Sequence, residues 1–188
     1  MSNKGVVFLD RDGVINRYPG RRKYVTSWKK FSFIKGAFKA LKLLNENNFR
    51  IFIISNQAGV SKGIFSRRSL DIITNNMLNI LDKHRIKIHG VYYCIHKPED
   101  NCLCRKPKTG LLRKALKDAG LGTEDRKFMY FVGDSFRDIL TGKRFGCKTI
   151  LVLSGQVGLK DLKDSEIIPD MIASNLLEAV KLILKRKT

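Results

Sequence analysis

Short apolar runs and stretches of helical periodicity take turns along the whole chain. Gly5–Leu9 is rich in valine and closes on leucine, and residues 49–54 form a second run of the same kind. Residues 91–93, 128–132 and 148–153 predict three more strands, and residues 170–173 a short sixth. Between them, residues 36–46, 66–84, 109–119, 136–145 and 175–184 carry helical spacing. In the longest of these, Leu70, Ile73, Met77, Ile80 and Leu81 fall on one side, and Gly120 and Gly146 stand where two of the helices should stop. Strands that alternate with helices predict parallel pairing, hence an α/β fold with a doubly wound, mostly parallel sheet. The strand runs are continuously apolar rather than alternating, as expected when helices cover both faces. No internal repeat, low-complexity tract or Pro/Ser-rich linker interrupts the pattern, so residues 1–188 read as one domain.

Composition narrows the classes. The chain has 188 residues, 43% of them hydrophobic, enough for one sizeable core and barely for two. No apolar run reaches the ~18 residues of a membrane span. The opening residues 1–4 run straight into the first strand, without the longer apolar region and cleavage site of a secretory leader. A cytoplasmic monomer is the expectation. The formal charge of +20 favours anionic partners. Its carriers, among them Lys29, Lys83, Lys160 and Arg186, are spread along the chain, which reads as a lysine-rich surface and weakens a nucleic-acid assignment.

The chemistry gathers where strands end. The first closes on Leu9-Asp10-Arg11-Asp12-Gly13-Val14. Residues two apart on an extended chain point the same way, so Asp10 and Asp12 can face one point while Gly13 turns the chain. Two close carboxylates need a cation or a shared proton, and magnesium prefers such oxygen ligands. The fourth strand closes on Gly133-Asp134-Ser135-Phe136-Arg137-Asp138. If strands 1 and 4 are neighbours, Asp10, Asp12 and Asp134 converge at the carboxyl ends of the strands, where open α/β sheets bind ligands. Each of these aspartates alone would more often be a turn or a helix cap. The second strand closes on Ser55-Asn56-Gln57, where a hydroxyl and backbone N–H groups can hold phosphate oxygens. Lys106, ahead of a helix, can neutralise phosphate as a point charge. Cys94-Ile95-His96, five further residues and Cys102-Leu103-Cys104 supply three sulfurs and one imidazole, a set suited to structural, tetrahedral zinc. His84 and His89 read as surface residues, and Cys147 as packed.

Taken in order, Asp-x-Asp-Gly, Ser, Lys and Gly-Asp-x-x-x-Asp resemble the haloacid dehalogenase superfamily of phosphotransferases over nearly the whole chain. Finer segments (residues 9–16, Tyr24-Val25, residues 55–60, Lys62-Gly63 and Cys104-Arg105-Lys106-Pro107) are similar to its heptose-bisphosphate and histidinol-phosphate branches, with the heptose branch favoured. The resemblance implies a strand order of 3-2-1-4-5, no large cap domain and a zinc-loop insertion. It implies Asp10 as nucleophile, forming an aspartyl-phosphate, and Asp12 as general acid and base. Magnesium would be held by Asp10, the Asp12 backbone carbonyl and Asp134. Ser55 and Lys106 would stabilise the transferring group. Arg105, with Asn56 and Gln57, would meet the substrate, a small phosphorylated metabolite such as a sugar bisphosphate. Two features depart from the branch. Ser135 stands where a lysine is usual, and the segment 17–23 is longer and more basic, so that Arg21 and Arg22 either grip a second phosphate or belong to a solvated loop. A reading of another class, a nucleic-acid-binding module or DNA end-phosphatase, draws on the +20 charge and the cysteine knuckle. Against it, no basic, aromatic-interleaved motif is present, and the carboxylates would repel a phosphate backbone unless metal were bound.

Overall fold

Val6 and Phe8 point to one side of the first strand, Val7 and Leu9 to the other, and each pair joins a different buried cluster. That double burial is why the strand reads as a continuous apolar run. The computed structural model describes residues 5–122, 128–163 and 165–185. Residues 1–4 and Arg186 lie outside them. Along the chain come β1 (Gly5–Leu9), α1 (Ala37–Glu46), β2 (Phe49–Asn56), α2 (Arg67–Lys83), β3 (Gly90–Cys94) and α3 (Gly110–Asp118). They are followed by β4 (Met129–Gly133), α4 (Phe136–Phe145), β5 (Lys148–Val152), α5 (Leu159–Lys163), β6 (Met171–Ala173) and α6 (Leu176–Lys185).

The six strands form one sheet in the order β3-β2-β1-β4-β5-β6, and every neighbouring pair is parallel. The expected order 3-2-1-4-5 is therefore present, with β6 added at its edge and, among the described residues, no antiparallel strand in the sheet. Parallel neighbours need a crossover each time, which the helices provide on both faces. Side chains of α1, α2 and α6, such as Leu41, Met77 and Val180, pack on one face. On the other, Leu112 and Leu116 of α3 meet Phe145 of α4. There Phe8 sits among Phe52, Phe131 and Phe145, with ring centres 5.8, 6.3 and 6.0 Å away. Burying each such ring is worth roughly 2–3 kcal/mol.

Helix α2 begins at Ser66, whose hydroxyl accepts the Ser69 N–H at 3.0 Å, as a serine N-cap should. Between β1 and β2 the chain holds a loop, one 3-10 turn (Trp28–Lys30) and α1, and between β2 and β3 the one helix is α2. No large cap is inserted at either place. No helix among the described residues is long and apolar enough to cross a membrane. Cys147 is buried as expected. His89 is half-buried rather than on the surface, because its Nδ1 accepts the Ile51 N–H of β2 at 3.1 Å.

Candidate active site

Strands β1 and β4 lie side by side in parallel, Leu9 opposite Val132, so their acidic ends meet at one rim. The Asp10 N–H extends the ladder by one bond, to the Val132 carbonyl at 3.0 Å. Beyond it, carboxylate oxygens of Asp10, Asp134 and Asp138 lie within 4.8 Å of one another. Two glycines make room for Asp134. A Cβ on Gly13, which adopts φ +83°, would lie 2.1 Å from Asp134 Oδ2, and one on Gly155 would lie 2.0 Å from it. The Gln156 N–H donates to Asp134 Oδ2 at 2.8 Å, and the Ser154 hydroxyl ties this loop to the Gly13 carbonyl at 2.7 Å.

Lys106 enters the cluster from the loop before α3. Its buried ammonium donates to Asp10 Oδ1 at 3.0 Å, Asp138 Oδ1 at 2.5 Å and the Ile54 carbonyl at 3.0 Å. Asn56 holds that lysine from the backbone side, accepting its N–H at 3.1 Å and donating to its carbonyl at 3.2 Å. Asp138 is fully buried and also accepts from the hydroxyl and N–H of Ser135, at 2.6 and 3.2 Å. The sequence carried the cap signal of Asp138, an acidic residue three after a serine at a helix start. Its second contact, with Lys106, depends on a chain segment 32 residues away and left no local mark.

The electrostatics follow from this crowding. Burial pushes the Asp10 carboxyl up to about 6; Lys106 pulls it down, while Asp138 and Asp12 push it further up. Asp134 is held well above the usual carboxylate range by burial and then by Asp10 and Asp138. Burial works against the Lys106 ammonium, yet Asp10 and Asp138 outweigh it and raise its pKa. Three close carboxylates with two elevated pKa values and one compensating lysine are a donor set that favours a divalent cation with oxygen ligands.

Asp12 turns away from that cluster. Its carboxylate is taken up by Arg11 at 2.9 Å, Asn16 at 2.9 Å and Gln57 at 2.9 Å, which leaves its backbone carbonyl as the group it can offer a metal. Here one expectation is corrected. Gln57, expected to touch substrate, is fully buried, spends its amide on Asp12 and Ser55, and does not line the cavity. The cavity itself holds about 360 Å³. Asp10, Asp12, Ser55, Lys106 and Asp134 form part of its lining, together with Asn56, Arg21, Arg22 and Arg105. Tyr18 and Lys23 of the basic 17–23 segment also line it, as do Arg137 and Gln156, to which the sequence assigned no substrate role.

A second cluster stands beside the first. Cys94 ends β3, and His96, Cys102 and Cys104 follow in the loop that leads to Arg105 and Lys106. The Cys94–Cys102 and Cys102–Cys104 sulfurs are 3.6 and 3.4 Å apart, and His96 Nδ1 lies 3.7 and 3.2 Å from the Cys94 and Cys104 sulfurs. A tetrahedral ion with ordinary metal–sulfur and metal–nitrogen bonds sets these spacings at about 3.8 and about 3.6 Å. The ligand set and its size therefore fit such an ion. All four cysteines are unlinked, and Arg105 Nη1 donates to the His96 carbonyl at 3.3 Å, which couples this cluster to the cavity wall.

Comparison with known proteins places this geometry. A family profile described as HAD-hydrolase-like matches residues 103–179. The D-glycero-beta-D-manno-heptose-1,7-bisphosphate 7-phosphatase of Haemophilus ducreyi is 35% identical, with 94% of this chain and 97% of that protein aligned. The D-glycero-D-manno-heptose-1,7-bisphosphate 7-phosphatase of Chlorobaculum tepidum is also 35% identical, over 96% of this chain and 94% of that one. Among solved structures, the D,D-heptose 1,7-bisphosphate phosphatase of B. bronchiseptica, complexed with magnesium and phosphate, superposes with a TM-score of 0.86. It is 27% identical and covers 97% of this chain and 99% of that one.

Proposed function

This chain belongs to the haloacid dehalogenase-like hydrolases, in the family of the heptose-1,7-bisphosphate 7-phosphatases, and from that premise we propose that it hydrolyses the 7-phosphate of a D-glycero-D-manno-heptose 1,7-bisphosphate through an aspartyl-phosphate on Asp10. The observation that carries the site assignment is the meeting of Asp10, Asp134 and Lys106 at one rim. In the first step an Asp10 oxygen bonds to phosphorus as the bond to the sugar oxygen breaks, and Asp12 gives that oxygen a proton. In the second, water attacks the same phosphorus and returns a proton to Asp12, which frees Asp10 and inorganic phosphate. Lys106 and Ser55 hold the phosphoryl oxygens, and Arg105, Arg21 and Arg22 line the path to the sugar. Asp10, Asp134 and the Asp12 carbonyl would hold magnesium, which supplies a divalent charge against the phosphoryl oxygens.

Cys94, His96, Cys102 and Cys104 would hold a structural zinc that fixes the loop presenting Arg105 and Lys106. The same reading takes residues 1–188 as one domain and the chain as a monomer of the cytoplasm, where its unlinked cysteines stay reduced. A phosphate-release assay with magnesium over both anomers of the heptose bisphosphate, histidinol phosphate and simple monoesters tests the substrate. Preferential release from a heptose bisphosphate, lost on magnesium removal, is the expected result. Equal or better turnover of histidinol phosphate would move the chain to that branch.

A further inference from the structure

Five hydrogen bonds converge on the Asp12 carboxylate. Oδ1 accepts from Arg11 Nε at 3.0 Å, Arg11 Nη2 at 2.9 Å and Asn16 Nδ2 at 2.9 Å. Oδ2 accepts from Arg11 Nη2 at 2.9 Å and Gln57 Nε2 at 2.9 Å. Arg11 itself is fully buried, although it is the residue between two site aspartates. Its guanidinium lies 5.6 Å from the centre of the Tyr93 ring, and the hydroxyls of Tyr93 and Thr74 meet at 3.1 Å. Strand β3 and helix α2 thereby brace it from behind. Its carbonyl accepts the N–H groups of Ile15 and Asn16 at 2.9 and 3.1 Å, closing the turn that brings Asn16 back to Asp12.

This grip is not a by-product of packing. A buried guanidinium is costly, and an apolar side chain of similar size would fill the space more cheaply, yet Arg11 spends Nε and Nη2 on Asp12 and leaves Nη1 buried with no hydrogen-bond partner among the described residues. The same two amides that donate to Asp12 leave Asn16 Oδ1 and Gln57 Oε1 buried with no hydrogen-bond partner among the described residues. A fold tolerates such atoms where the donors on the other side are needed for something else.

We propose that Arg11 is a positioning residue which, with Asn16 and Gln57, fixes the direction of the Asp12 carboxylate for proton transfer. The inference rests on the reading of Asp12 as the group that exchanges the proton. Oδ2 has fewer donors than Oδ1, and it is the oxygen that gives the proton to the leaving alkoxide and takes one back from water. Arg11 keeps hold of Oδ1 meanwhile, so the carboxyl group does not swing out of line. The Arg11 side chain makes no hydrogen bond to Asp10, and Gln57 reaches the phosphoryl side of the site only through the Ser55 hydroxyl, at 3.2 Å.

The test separates the two aspartates by leaving group. An aliphatic ester such as glycerol phosphate needs a proton on its leaving oxygen, whereas 4-nitrophenyl phosphate releases a stable phenolate without one. Single-turnover release with magnesium is measured for the wild-type protein and for Arg11→Met, Gln57→Met and Asp12→Asn. Arg11→Met and Gln57→Met should slow the glycerol ester by roughly 30- to 100-fold while leaving the first 4-nitrophenolate release within about threefold, and Arg11→Lys should recover part of the loss. Equal slowing of both substrates, or no slowing of either, overturns the proposal. If Arg11→Met does not fold, Gln57→Met and Arg11→Lys decide it alone, since each keeps the buried volume nearly filled. Should Asp12→Asn itself lack the split, the proton-transfer reading falls and the inference with it. Should Asp12→Asn have the split and the positioning variants lack it, the inference alone falls.

Discussion

Asp10 and Asp12 are two residues apart and occupy opposite electrostatic surroundings. Asp10 shares a buried corner with two more carboxylates and one lysine, and its pKa rises to about 6 through burial. Asp12 has a guanidinium and two amides around it. The sign of the Asp10 shift has a consequence for the metal-free protein. A carboxyl with a raised folded-state pKa contributes relative stability below its unfolded value, and that contribution is lost as the pH rises from ~4 through about 6. At pH 7 the ionised Asp10 then costs about 3 kcal/mol. Asp10→Asn should therefore abolish turnover by roughly 10⁴-fold or more, yet melt at or above the wild-type temperature in metal-free buffer at pH 7. A large drop in melting temperature would mean that Asp10 is structural. Asp10 and Asp134 were legible in the sequence because each follows an apolar run, whereas the Asp12 carboxylate, expected to converge with them, turns to Arg11, Asn16 and Gln57, and Asp138 takes that place. Gln57 was placed at the substrate by the resemblance alone; its contact with Asp12 joins residues 45 apart, which no local pattern displays.

Elements of this fold differ in how plainly their sequences announce them. Strands β1, β2, β4 and β5 are buried on both faces, so their runs stand out. β6 has three residues and is only partly buried, and α5 has five, too few to display a period. Strand order is a long-range property; only the paired acidic ends of β1 and β4 hinted at their contact. The loop after β3 has no apolar periodicity at all; hydrogen bonds such as Lys97 N–H to Asp100 Oδ2 at 2.8 Å hold part of it, and the proposed zinc on its three sulfurs and one nitrogen would fix the rest. That loop ends in Arg105 and Lys106, one on the cavity wall and one bonded to Asp10. Gly110 closes it from the far end, its N–H donating to the Leu103 carbonyl at 3.2 Å. Loss of the ion should thus act on catalysis through the loop and not through the metal at the carboxylates. For Cys104→Ser the expected results are a zinc content well below one per chain by elemental analysis, a lower melting temperature and a roughly 10- to 100-fold fall in kcat/KM that added magnesium does not restore. Full activity in a zinc-free Cys104→Ser protein would show that the loop holds its shape without help.

For the molecule as a whole, the formal charge of +20 raises the question of how much of it the substrate feels. Most of the charge is too far away to matter at physiological salt, where the screening length is about 8 Å. Besides Lys106, the cations that line the cavity, Arg21, Arg22, Lys23, Arg105 and Arg137, are near enough. A sugar bisphosphate brings two phosphate groups to that mouth and a monoester brings one. Attraction scales with the charge delivered, so steering should favour the bisphosphate and fade as salt is added. Between ~20 and ~500 mM salt, kcat/KM for the heptose bisphosphate should fall several-fold more than for a monoester, with kcat little changed. Replacing Arg21 and Arg22 together by glutamine should flatten that difference if this loop receives the second phosphate. An unchanged salt slope in the double variant would return the loop to the solvated surface and leave Arg105 and Arg137 as the groups that sense the distal charge.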